Sequence, residues 1–151
     1  RLVLAPLVAA LFVLLVAGIG SAIVTPPAAL AAAAPGGTST RWQPWSEPQV
    51  AALTASGQPV FVDFTAAWCV TCQVNKKTTL SNSDVLADFD SRKVALLRAD
   101  WTRRDPAITA ALAALGRNGV PVYVLYRPGQ TPLVMTEILT PGEVRAALAT
   151  L

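Results

Sequence analysis

The feature that most constrains this chain is the stretch Val60-Phe61-Val62-Asp63-Phe64-Thr65-Ala66-Ala67-Trp68-Cys69-Val70-Thr71-Cys72. From Pro59 to Phe64 the residues are apolar and partly β-branched, with no alternation and one exception, Asp63. A strand with one wet face alternates; a continuous apolar run predicts a central strand, here 59–65, covered on both faces. Beyond it come helix-tolerant residues, so a Cys-x-x-Cys pair falls at a strand-to-helix junction. Three-residue spacing on a helix sets Cys69 and Cys72 on one face, within reach of a single disulfide. The free N–H groups and positive dipole end of that helix favour a thiolate at Cys69. Cysteines so placed have pKa values of about 3.5–7.5 instead of about 8.5. The pattern implies redox chemistry, with Cys69 as nucleophile at the helix mouth and Cys72 as the thiol that completes the exchange.

Composition narrows the alternatives. Both cysteines of the chain lie in this stretch and there is no histidine. Two cysteines three apart cannot close a zinc site without further ligands, so neither a metal nor a cofactor is expected. A purely structural disulfide competes with the redox reading, but cross-linking so short a loop stabilises little. The net charge of +3 is spread along the chain. Lys76-Lys77 and Arg103-Arg104 are pairs, too short for a nucleic-acid stripe, and no nucleic-acid partner is expected. Lys76 and Lys77, a turn past the cysteines, either help hold a thiolate or are simply solvated.

The chain divides into three parts. Residues Leu2–Val24 carry no charge and no strongly polar side chain except Ser21. As a helix they would reach about 34 Å, enough for a hydrocarbon core of roughly 30 Å, so 1–24 is read as one transmembrane helix. The competing reading, a cleaved secretory signal with Ala-x-Ala sites between Ala28 and Ala34, normally has an apolar region of only about 7–15 residues. Residues 25–40 are rich in Pro, Ala and Gly and uncharged, as a linker would be. A folded domain is expected over 41–151.

Within that domain, Trp42 and Trp45 flank Pro44 as an edge strand or turn packing aromatics onto the core. Ser46 and Gln49 have capping-box spacing and open a helix with Val50 and Leu53 facing inward, stopped by Gly57. After the strand 59–65, a helix is expected over 69–80 and another from Ser81 or Ser83 to Phe89. A strand over 93–101 follows, with Val94, Leu96 and Leu97 apolar. Asp105-Pro106 caps a helix carrying Ile108, Leu112 and Leu115 as far as Gly116. Val120–Tyr126 is the next strand, Pro128-Gly129 a type II turn and 133–138 its hairpin partner. Thr140 and Glu143 form a second capping box opening a last helix with Val144, Leu148 and Leu151 on one side. The order βαβαβαββα, with helical crossovers, implies an α/β fold with some parallel pairing.

The string Phe61–Cys72, containing Asp-Phe-x-Ala-x-Trp-Cys-x-x-Cys, resembles the active-site segment of thioredoxin-like proteins and, at its full length, the C-terminal domain of the DsbD family of protein-disulfide reductases. Ala99-Asp100-Trp101-Thr102 and Gly119-Val120-Pro121 fall where that family would place its third strand and its cis-proline loop. The resemblance covers about residues 41–151. It implies a thioredoxin-like fold, a central mixed sheet flanked by helices, preceded here by the last transmembrane helix of a membrane domain. It implies catalysis of thiol:disulfide interchange by Cys69 and Cys72 as a redox-active disulfide. Asp63, desolvated in its strand, would take the proton from Cys72; a carboxylate simply paired with a lysine or arginine is the competing reading. Trp68 would shield the disulfide, or be a plain core tryptophan. Val120 and a cis Pro121 would bind the substrate strand.

The implied setting is the bacterial inner membrane, with the catalytic domain facing the periplasm. The implied partners are oxidised periplasmic thiol proteins, the membrane electron-transfer domain of the same protein that re-reduces the pair, and the membrane itself through residues 2–24. Two other readings share parts of the pattern: a reductase dedicated to cytochrome c maturation, and an extracytoplasmic copper-binding module. The chain departs from the family at Ala67 and Lys76, where acidic residues stand in some members.

Overall fold

The computed structural model describes residues 41–151. The expected membrane helix and linker lie outside the described residues; among those described, no helix is long and apolar enough to cross a membrane. In chain order the elements are β1 (Gln43–Pro44), α1 (Glu47–Ala55), β2 (Val60–Thr65), α2 (Val70–Thr78), α3 (Ser83–Ser91), β3 (Ala95–Asp100), α4 (Pro106–Ala114), β4 (Val122–Tyr126), β5 (Leu133–Val134) and α5 (Pro141–Leu148).

The strands form one mixed sheet in the order β1-β3-β2-β4-β5. β2 is its middle strand, parallel to β3 from Val60↔Ala95 to Thr65↔Asp100 and antiparallel to β4 from Val60↔Tyr126 to Phe64↔Val122. Every residue of β2 is buried, which explains the absence of alternation: both faces are dry. Val60, Val62 and Phe64 pack with Val50 of α1 and Ile108 and Leu112 of α4 on one face. On the other face Phe61 packs with Val85 and Phe89 of α3 and with Val144 and Leu148 of α5. Asp63 has the parity of Phe61, which puts a carboxylate into the second layer.

Helix ends follow local chemistry. Gly57 has φ 83° past the end of α1, and the N–H groups of Gly57 and Gln58 donate to the carbonyls of Thr54 and Leu53, a Schellman closure. Asp105 caps α4 by accepting from the N–H groups of Ala107 and Ile108, ahead of Pro106. Gly129, with φ 70°, takes the third position of the Arg127–Gln130 turn, whose closing bond is 3.0 Å.

The expected boundaries are corrected in several places. α2 ends at Thr78 instead of Leu80; α3 starts at Ser83, one of the two expected starts, behind an Asn82 cap, and runs to Ser91 instead of Phe89. The hairpin partner shrinks from 133–138 to two residues, because Glu143 turns away from its helix end to bind the Thr136 N–H at 2.8 Å and hydroxyl at 2.6 Å. Only the Thr140 half of that capping box forms, and the same holds at α1, where the Gln49 amide donates to Gln43 Oε1 at 2.8 Å. Leu151 lies beyond α5 and is exposed.

Candidate active site

The site is assembled where β2 runs out. Cys69 is the N-cap of α2, in extended backbone, and forms a disulfide with Cys72. The Cys72 N–H donates to Cys69 Sγ at 3.1 Å, so an otherwise unpartnered amide of the first helical turn is aimed at the first sulfur. That donor and the helix dipole both favour negative charge on Cys69 once the pair is reduced. Cys69 is 7% exposed and Cys72 is fully buried, which leaves the first sulfur as the one a visitor can reach.

Three segments frame the pair. The loop after β3 holds the loop after β2: Thr102 Oγ1 accepts from the Ala67 N–H at 2.8 Å, and the Trp68 indole N–H donates to the Thr102 carbonyl at 3.2 Å. Thr102 is held in turn by Asp100, which accepts from its N–H at 2.9 Å and from its hydroxyl. Those two bonds keep the Asp100 carboxyl below the usual carboxylate range. Trp68 is 52% exposed, its ring 6.2 Å from that of Trp101 and under the guanidinium of Arg104, so the core-tryptophan reading is set aside. The third segment is the loop before β4. Its Val120–Pro121 bond is cis, Pro121 is buried, and Val120 packs against Ala66, Cys69 and Cys72.

Asp63 lies in β2, fully buried. Its Oδ2 accepts from Arg98 Nε at 3.0 Å across the parallel register Asp63↔Arg98, and its Oδ1 has no hydrogen-bond partner among the described residues. Burial pushes the carboxyl above its ordinary value, with Arg98 and, more weakly, Lys76 pulling the other way. The arginine-paired reading and the raised pKa therefore hold together: desolvation outweighs the ion pair. Arg98 is fixed from behind by the Trp42 ring, 4.5 Å from its centroid. Lys76 is half-buried, not fully solvated, and its ammonium is held below the ordinary lysine value, first by burial, while Asp63 and Asp100 oppose the shift. Lys77 is exposed.

Arg98, Thr102 and Asn75 are structural participants that the sequence did not single out. Each acts through a partner more than thirty residues away, a relation carried by sheet register and loop packing and not by local spacing. Among the described residues no group of three or more His, Cys, Asp or Glu side chains is arranged to hold a metal.

A family model described as thioredoxin-like matches residues 41–128. The chain belongs to the thioredoxin-like family. Within that family it is similar to thiol:disulfide interchange protein DsbD 1 of Pseudomonas aeruginosa, 29% identical over 120 residues that make up 76% of this chain and 20% of the relative. It is also similar to thiol:disulfide interchange protein DsbD of Klebsiella pneumoniae, 34% identical over 87 residues, 58% of this chain and 14% of the relative. The chain thus spans a fifth or less of the length of these two relatives. Among solved structures, the oxidised C-terminal domain of Neisseria meningitidis DsbD superposes with a TM-score of 0.58 at 20% identity, over 72% of this chain and 98% of that one. That likeness shows the thioredoxin-like fold.

Proposed function

We propose that the domain is a protein-disulfide reductase working by thiol:disulfide interchange. The observation that carries this reading is the Cys69–Cys72 disulfide at the mouth of α2, with the Cys72 N–H on Cys69 Sγ and Val120 packed against the pair. In the reduced domain, the Cys69 thiolate attacks one sulfur of a partner disulfide. The partner S–S bond breaks, its leaving thiolate takes a proton from solvent, and a mixed disulfide forms. Cys72, giving its proton to Asp63, then attacks Cys69 Sγ. The partner's second sulfur departs as a thiolate and takes a proton from solvent, two electrons have passed to the partner, and the domain is left as the Cys69–Cys72 disulfide. Trp68 and the Val120–Pro121 edge receive the partner chain.

The reading extends to the chain's setting. Residues 2–24 serve as a membrane helix and 25–40 as a tether, with the catalytic domain on the periplasmic face of a bacterial inner membrane. Oxidised periplasmic thiol proteins are the substrates, and a membrane electron-transfer domain of the same protein supplies the dithiol that re-reduces the pair. The names of the DsbD relatives and the uncharged apolar run of 2–24 support this arrangement.

Trapping tests the mechanism. Cys72→Ala cannot resolve the mixed disulfide, so covalent complexes through Cys69 should accumulate when the reduced variant meets oxidised partner proteins. They should vanish on adding reductant and be absent from Cys69→Ala. Recovery of no complex with Cys72→Ala contradicts the exchange mechanism.

A further inference from the structure

Asn75 stands one turn beyond Cys72 on α2 and is buried. Its Nδ2 makes two hydrogen bonds, donating to the Tyr123 hydroxyl at 2.9 Å and to the Glu137 carbonyl at 2.8 Å. One side chain thereby ties together the helix that carries Cys72, the strand that starts just after Pro121, and the loop between β5 and α5. Thr79, the C-cap of α2, adds a second tie, its hydroxyl donating to the Leu139 carbonyl at 2.7 Å. Met135 and Leu139 sink into the core on either side of this loop, and Glu143 fastens Thr136 between them. What these anchors hold out is Ile138, an apolar side chain left 68% exposed. Glu137, next to it, lines a cavity of about 550 Å³ together with Gly119 and Val120, the residue packed on the disulfide. The Glu137 carboxylate also reaches Arg117 on the same cavity at 3.8 Å.

The bonds that hold this loop come at an expense that packing alone does not explain. A buried amide must be matched at every polar atom, and a leucine or methionine would fill the same volume without that demand. What the amide provides is a fixed separation between α2, β4 and the loop's backbone.

We propose that Asn75 is a positioning residue for partner recognition: it sets the Glu137–Leu139 loop as a rigid lip opposite Val120, so that an extended partner segment bearing the target disulfide meets Ile138 and Val120 together. This rests on the exchange reading above. The Asn75 side-chain hydrogen bonds go to Tyr123 and Glu137 and to neither sulfur. Its loss should therefore weaken the docking of a protein substrate and leave attack on a small disulfide intact.

The test compares two probes on the full chain: insulin as a protein disulfide, turned over with dithiothreitol as the electron source, and 5,5′-dithiobis(2-nitrobenzoate) as a small one, reacted with the pre-reduced chain. For Asn75→Ala, with two hydrogen bonds removed, the insulin KM should rise about tenfold with kcat within about twofold, the signature of lost uniform binding. Its rate with the small disulfide should stay within about twofold of wild type. Tyr123→Phe removes a single acceptor oxygen and should shift the insulin KM in the same direction by about threefold, which keeps the test decisive if Asn75→Ala folds poorly. An unchanged insulin KM in Tyr123→Phe, or equal losses with both probes, overturns the positioning role while leaving exchange chemistry standing. Failure of the wild-type chain to react with the small disulfide overturns the exchange reading and this proposal with it.

Discussion

At the residue scale, two carboxylates near the disulfide are pushed in opposite directions. Asp100 is exposed and doubly hydrogen-bonded by Thr102, which lowers its pKa; Asp63 is buried, which raises it. A folded-state value above the ordinary 3.8 means that the folded chain binds this proton more tightly than the unfolded one. The stability linked to Asp63 is then fully present below about pH 3.8 and is lost as pH rises through the folded value. Asp63→Asn removes that dependence, so at neutral pH the variant should be more stable than wild type, and the gap should close in acid. The cost is kinetic. Without its proton acceptor, Cys72 should resolve a mixed disulfide about 10²-fold more slowly, in keeping with what a positioned general base contributes. Denaturant melts across pH, paired with stopped-flow resolution rates, check both halves; a resolution rate equal to wild type at every pH removes Asp63 from the mechanism. The sequence exposed Asp63 because its neighbours are apolar, and that was sufficient to predict desolvation. It did not expose Arg98, whose link to Asp63 depends on the β2–β3 register.

At the scale of elements, legibility followed the range of the interaction. Ser46, Asp105 and Thr140 were readable as caps because each satisfies amides two or three residues away. The second halves of the two capping boxes were not, because Gln49 and Glu143 found partners supplied by the tertiary fold. The C-terminus of α3 was the least legible. It closes as a Schellman turn, Val94 N–H to Phe89 carbonyl at 3.0 Å and Lys93 N–H to Asp90 carbonyl at 3.1 Å, with lysine and not glycine at the left-handed position, φ 53°. A side chain there costs roughly 1–2 kcal/mol, which glycine would recover less its own backbone entropy of about 0.5–1 kcal/mol. Lys93→Gly should therefore stabilise the domain by about 0.5–1 kcal/mol and raise Tm by a few degrees, with activity unchanged. A lowered Tm on calorimetry contradicts this account of the turn.

At the scale of the whole molecule, the class of fold and the location of the site were both in the β2–α2 string, since a dry strand feeding a Cys-x-x-Cys helix leaves few architectures. The strand order was not. Nothing local says that β1 pairs with β3, or that Phe61 meets Trp42, Phe89 and Tyr123, from three separate parts of the chain, at ring separations of 6.1, 5.1 and 6.3 Å. The sheet's role is to bring four distant pieces to one end of β2: the cysteines, the Thr102 loop, the Val120–Pro121 loop and the lip held by Asn75. The chemistry itself turns on one property of the first piece, the ionisation of Cys69 in the reduced chain. Thiolate absorbance followed against pH, with Cys72→Ala to isolate the signal, measures it directly. The account predicts a Cys69 pKa within about 3.5–7.5, set by the Cys72 amide and the α2 dipole. A thiol that stays neutral up to about 8.5, the value of a free cysteine, would contradict it.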